Sequence, residues 1–186
     1  MTNLCDDDAL LSLVQDMQGG SSNGLERMES LLTKHPEDAR LHFMRGSFLV
    51  GAGRLIEGHD GLKRAVALAP DFAIARFQLG FFQLTSGEAE AALETWGRLD
   101  RLTDGHYLRE FVDGLRCLIR DDFLGTVVHL RAGIACNSEN PPQNGDMQLI
   151  IDQCESILAG AAADGDDAVS ETSLILQRFS RPKEIH

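Results

Sequence analysis

Residues 39–72, ARLHFMRGSFLVGAGRLIEGHDGLKRAVALAPDF, decide the fold, because their marker residues recur along the chain in steps of 34. Gly46 is followed by Gly80 and Gly114, Phe43 by Phe77 and Phe111, Gly53 by Gly87, Gly58 by Ala92, and Leu62 by Trp96. In the other direction Pro70 steps back to Pro36, Gly53 to Gly19, Gly58 to Gly24 and Leu62 to Met28, with no insertion. Self-similarity at this period marks stacked helix–turn–helix units, each too small to bury its own apolar face. Glycine inside a helix costs about 1 kcal/mol against alanine. Three such glycines in register therefore point to a shared packing requirement, a close approach of two antiparallel helices with Gly46 facing Gly58 and Gly80 facing Ala92.

Four groups of residues carry a resemblance to the tetratricopeptide repeat (TPR) family over residues 5 to about 160. They are the small residue midway along the first helix (Gly46, Gly80, Gly114), the small residue opening the second (Gly58, Ala92, Thr126), Ala65 beyond it, and the closing prolines Pro36 and Pro70. The resemblance implies an all-α solenoid of about four repeats that binds other proteins.

Helix 5–18 pairs with helix 25–35 across GGSSNG in a degenerate first repeat, with Ser12 at the glycine position. The second and third repeats are the best formed, and Gly53 and Gly87 fall where a left-handed helix cap is expected. In the fourth repeat, 107–140, Asp121 and Asp122 stand at the turn in place of glycine. After NSENPPQN, an amphipathic cap helix is expected from about Asp146 to Leu158, ended by Gly160. The organisation expected is thus an array with its cap over 1–160, a flexible acidic linker over 161–168, and an apolar tail over 169–186.

The chain has 29 Asp and Glu against 17 Lys and Arg, a net charge of −12. That balance argues against nucleic acid and anionic membranes as partners, since both need concentrated positive charge. Cys5, Cys117, Cys136 and Cys154 lie far apart without metal-ligand spacing and read as reduced thiols in packing roles. MTNLCDDDALL lacks the basic start and apolar run of a signal peptide, and no stretch is long enough to span a bilayer, so a cytoplasmic location is expected. The six histidines are scattered, no phosphate-cradling loop follows a strand, and no nucleophile, base and orienter converge. No enzyme activity, metal or cofactor is expected.

In TPR arrays the first helices line a concave groove. The resemblance places Phe43, Ser47, Phe77, Phe81, Phe111 and Leu115 there, with Arg40, Ile74, Leu108, Val50, Leu84 and Leu118 at further groove positions. Members that grip chaperone C-termini carry Lys, Asn and Arg at these places, so that activity is not implied. An apolar groove fits an amphipathic helix or apolar peptide of another protein. The expected function is a non-enzymatic adaptor. Alternatives are a secretion-type chaperone, which the acidic three-TPR chaperones resemble, and a regulatory subunit of an enzyme. The tail residues Leu174, Ile175, Leu176 and Phe179 are too apolar for a solvated segment and are expected to dock, on the same chain, on a second copy as self-association, or on another partner.

Overall fold

The computed structural model describes residues 4–18, 23–161, 171–177 and 179. Among these the chain is all-α: ten α-helices, packed in consecutive pairs. No helix among the described residues is long and apolar enough to cross a membrane. The chain divides into two compact units, one ending at Leu79 and the other covering Gly80–Arg181.

In the first unit, α1 (Asp7–Gln18) pairs with α2 (Gly24–Lys34), α2 with α3 (Ala39–Gly51), and α3 with α4 (Leu55–Leu68). Asp7 and Asp8 sit in the first turn of α1, where their charge complements the helix dipole. Leu13, Met28, Leu32, Leu41 and Cys5 form a core flanked by Leu10, Met17 and Met44. The α3–α4 pair closes backbone to backbone. A Cβ on Gly46 would lie 2.8 Å from the Leu62 amide nitrogen and 2.9 Å from the Gly58 oxygen, and one on Gly61 would lie 2.9 Å from the Gly46 Cα. The buried Asp38 ties the N-terminus to this pair. Its carboxylate accepts hydrogen bonds from the Cys5 amide (2.9 Å), the Arg40 amide (3.0 Å) and the Arg40 guanidinium.

Helix α5 (Ala73–Thr85) carries the boundary between the units. In the second unit its C-terminal half packs on α6 (Ala89–Trp96), which continues as a 3-10 turn, Gly97–Arg101. A Cβ on Gly80 would lie 2.2 Å from Trp96 Nε1, so the glycine supplies the floor for a fully buried indole. Next, α7 (Tyr107–Ile119) pairs with α8 (Phe123–Cys136), with Gly114 beneath Leu130 and Gly133 beneath the Phe111 ring. The close approaches of Gly46 to Leu62, Gly80 to Trp96 and Gly114 to Leu130 recur at the sequence period.

The turns repeat as well. Gly53, Gly87 and Asp121 have φ of 75°, 84° and 57°. At each, the residue's own amide bonds back to the carbonyl three residues earlier: Val50, Leu84 and Leu118. The next amide bonds to the carbonyl five earlier: Leu49, Gln83 and Cys117. This pair of bonds is the Schellman ending, which needs a left-handed residue. Glycine adopts that conformation without strain and aspartate at a cost.

The expected limits of the cap helix are corrected. Helix α9 runs Gln143–Ala161, beginning directly after Pro141–Pro142 and continuing through Gly160. Proline suits the entry to a helix, whose first amides lack partners in any case. Asn137 holds that entry, donating to the Asn140 carbonyl (2.8 Å) and the Asn144 side chain (2.7 Å). A Cβ on Gly160 would meet nothing within 4 Å, so this glycine carries only a propensity cost and does not end the helix. Met147, Ile150, Ile151 and Cys154 of α9 are fully buried and α9 lies against α8. Of the expected linker, residues 162–168 lie outside the described residues, as do tail residues 169, 170, 178 and 180–186. A short helix α10 (Glu171–Gln177) packs against α9.

Candidate functional site

The candidate groove residues divide by burial. Phe43 is half-buried, edge-on to Phe72 with ring centroids 5.3 Å apart, and Ser47 is half-buried with its hydroxyl oxygen enclosed. Phe77, Phe111 and Leu115 are 0% exposed and Phe81 6%. Phe111 lies 5.7 Å from Tyr107 at 85° and rests on Gly133. Of the further positions, Leu84, Leu108 and Leu118 are also buried. Arg40 is engaged by Asp38, by Asp7 and by the Cys5 carbonyl.

The burial of α7 follows from how much of its circumference is covered. Tyr107, Leu108, Phe111, Val112, Gly114, Leu115, Cys117 and Leu118 are all buried. At 100° per residue they span an arc of about 220°, twice the stripe that one packing partner occupies. Helix α8 covers the side of Gly114 and Phe111. Helix α6 and the 3-10 turn also lie against α7, and at its C-terminal end the Thr172 hydroxyl adds a further contact.

That further contact is specific. The buried Thr172 hydroxyl lies 2.9 Å from the Leu118 carbonyl and 2.5 Å from Asp121 Oδ1. Ile175 is 2% exposed. Beyond α10 the Phe179 amide bonds to the Leu176 carbonyl at 3.0 Å, and the Phe179 ring meets Phe81 edge-on, 5.5 Å between centroids at 72°. Thr172 and Ile175, three residues apart, share one face of α10, and Phe179 follows beyond its end. Leu174 is 56% exposed and Leu176 half-buried, so the four expected tail residues are not equivalent. Asp122, beside the seat, is spent on capping α8 through the Gly125 amide, 2.9 Å away.

Several other polar side chains hold structure. His42 bonds the Pro36 carbonyl at 2.9 Å, and His106 caps α7 by accepting the Leu108 amide at 3.2 Å. His129 meets Glu110 across the α7–α8 hairpin at 2.9 Å. Arg116 joins Asp100 and Asp113 at 2.7 and 3.0 Å. Burial pushes the thiols of Cys5 and Cys117 up and that of Cys154 up to about 11, which holds them protonated at neutral pH. Tyr107 is raised to about 12, by burial and then by Glu139. Among the described residues no group of three His, Cys, Asp or Glu side chains could hold a metal ion.

Compared with protein-family models and with curated proteins, the chain matches none. Sequence reasoning did not single out Thr172 or Asp121 as a pair. The available signal was Asp121 itself, the one non-glycine residue at a turn position that Gly53 and Gly87 otherwise fill.

Proposed function

We propose that the chain is a TPR-type helical-repeat protein and works in the cytoplasm as a non-enzymatic adaptor. It would hold a short apolar helical segment of another protein in the seat that residues 171–177 and 179 occupy. Support for the family comes from glycine approaches and Schellman turns that recur at the family's period. Four free cysteines, three of them buried, accord with a reducing compartment.

The observation that carries the binding function is the seated tail. A helix of seven residues is far below the length at which isolated helices hold in water, so its order comes from the surface beneath it. That surface takes a helical turn or two presenting one aliphatic and one aromatic side chain, the helix-in-groove mode of recognition. Phe81, the end of α7 and α9 form the contact, while Phe111 and Leu115 are buried in the core.

The test uses the full chain carrying Ile175→Asp, which vacates the seat by burying a charge. A fluorescent peptide of residues 168–186 is titrated against this variant and against the wild type. The expected result is saturable binding to the variant and much weaker binding to the wild type, whose own tail competes. A peptide that binds neither would refute the seat as a binding site.

A further inference from the structure

We infer that Asp121 and Thr172 form a recognition pair that makes the seat selective for a segment with a hydroxyl residue three positions before the aliphatic anchor and seven before the aromatic one. This inference rests on the seat described above and names the chemistry of the segment that fits it.

Asp121 is the anomaly that points to it. Its φ of 57° falls where Gly53 and Gly87 sit at 75° and 84°, with the same two backbone hydrogen bonds. The turn itself therefore asks only for glycine, and aspartate there is strained relative to it. What aspartate adds is a carboxylate 2.5 Å from the Thr172 hydroxyl. That hydroxyl has one proton to donate. The Leu118 carbonyl already accepts the Asp121 amide at 3.0 Å, so the carboxylate is the acceptor that gains most from Thr172. A valine in place of Thr172 fills the same space but leaves the Asp121 carboxylate facing a methyl group, which a seat built for a hydroxyl rejects.

The occupant is the chain's own segment, residues 171–177 with 179, and the spacing of its contacts fixes the pattern. Thr172 meets Asp121, Ile175 is buried three residues on, and Phe179 meets Phe81 seven residues on, while Leu174 faces solvent. A segment shifted by one residue would set Glu171 against Asp121 with Leu174 as the anchor, or Ser173 with Leu176, which keeps a hydroxyl but puts Ser180 where the aromatic Phe179 belongs.

The experiment is hydrogen exchange of the amides of Leu176, Gln177 and Phe179 in the full chain, together with thermal melting. It compares wild type, Thr172→Val, Thr172→Ser, Asp121→Gly, Asp121→Asn and the double variant. Thr172→Val and Asp121→Gly are each expected to lower tail protection about tenfold, the factor for one hydrogen bond to a charged group. The double variant is expected to lower it no further, and Ser and Asn to retain part of it. Asp121→Gly is expected at the same time to leave the melting temperature unchanged or raised, since glycine relieves the turn. A merely structural aspartate would lower both together. Unchanged tail protection in Asp121→Gly, or effects of the two single variants that multiply, would overturn the pair while leaving the seat intact. Tail amides that exchange in the wild type as fast as in an unstructured peptide would instead remove the seat itself, and the pair with it.

Discussion

Gly46→Ala and Gly51→Ala, two identical substitutions on α3, are expected to shift stability in opposite directions. At Gly46 the new methyl meets the Leu62 amide nitrogen at 2.8 Å, the Gly58 carbonyl at 2.9 Å and Leu62 Cγ at 3.0 Å. Two of these are backbone atoms of the facing helix and cannot rotate away, so α3 and α4 must separate by several tenths of an ångström. Overpacking of this kind costs about 1–3 kcal/mol, with the backbone contact placing Gly46 at the upper end. The gain in helix propensity returns about 1 kcal/mol, for a net loss of about 1–2 kcal/mol. At Gly51, exposed at the end of the same helix, nothing lies within 4 Å and only the gain remains. Equilibrium urea unfolding followed by far-ultraviolet circular dichroism measures both. A Gly46→Ala protein as stable as Gly51→Ala would refute the account of the hairpin as closed by backbone contact.

Asp38→Ala removes the acceptor of the Cys5 and Arg40 amides and leaves the Arg40 guanidinium without its buried partner, and is expected to cost about 2–3 kcal/mol in urea unfolding. Burial works to raise the Asp38 carboxyl, but the hydrogen bonds from Arg40 and the Cys5 amide outweigh it and hold it below the ordinary 3.8. The stabilisation is therefore full above that value and fades as pH falls through the lower folded-state value. The stability gap between wild type and Asp38→Asn should accordingly close on acidification below about pH 4, and a constant gap would contradict the assignment. With Ellman's reagent at pH 8, the exposed Cys136 should react at once and Cys5, Cys117 and Cys154 only as fast as the fold opens. Gly80→Ala should displace the Trp96 indole, the only one in the chain, and move its fluorescence to the red, whereas Gly97→Ala, whose Cβ meets nothing, should not.

The helix pairs were legible in the sequence because a glycine repeated in register records a close approach: of backbone to backbone at Gly46, and of a facing side chain onto the helix at Gly80 and Gly114. The turns were legible from glycines as well: Gly53 and Gly87 are in the left-handed region, as their place past the helix ends implies. The limits of α9 were hidden, since Pro141–Pro142 reads as a break but also suits a helix entry, and an exposed Gly160 costs too little to end a helix. The depth of Phe111 and Leu115 was hidden in another way. Periodicity marks the centre of an apolar face but not the width of the covered arc, and on α7 that width is set by α6 and the 3-10 turn before it as well as by α8 after it. In the tail, Leu174, Ile175 and Leu176 are equally apolar by composition. Only the register set by Thr172 and Phe179 together separates the buried one from its neighbours.

The hairpins join residues close in sequence, but the hydrogen bond from Thr172 reaches a carbonyl 54 residues away, and the Phe81–Phe179 contact spans further still. Local contacts form fast and distant ones wait on them. The seat is thus assembled before anything can sit in it, and refolding should show two steps: rapid burial of Trp96, then slower protection of α10 that Thr172→Val weakens without changing the first. If the seat binds as proposed, a competitor present during folding would meet no incumbent between those steps.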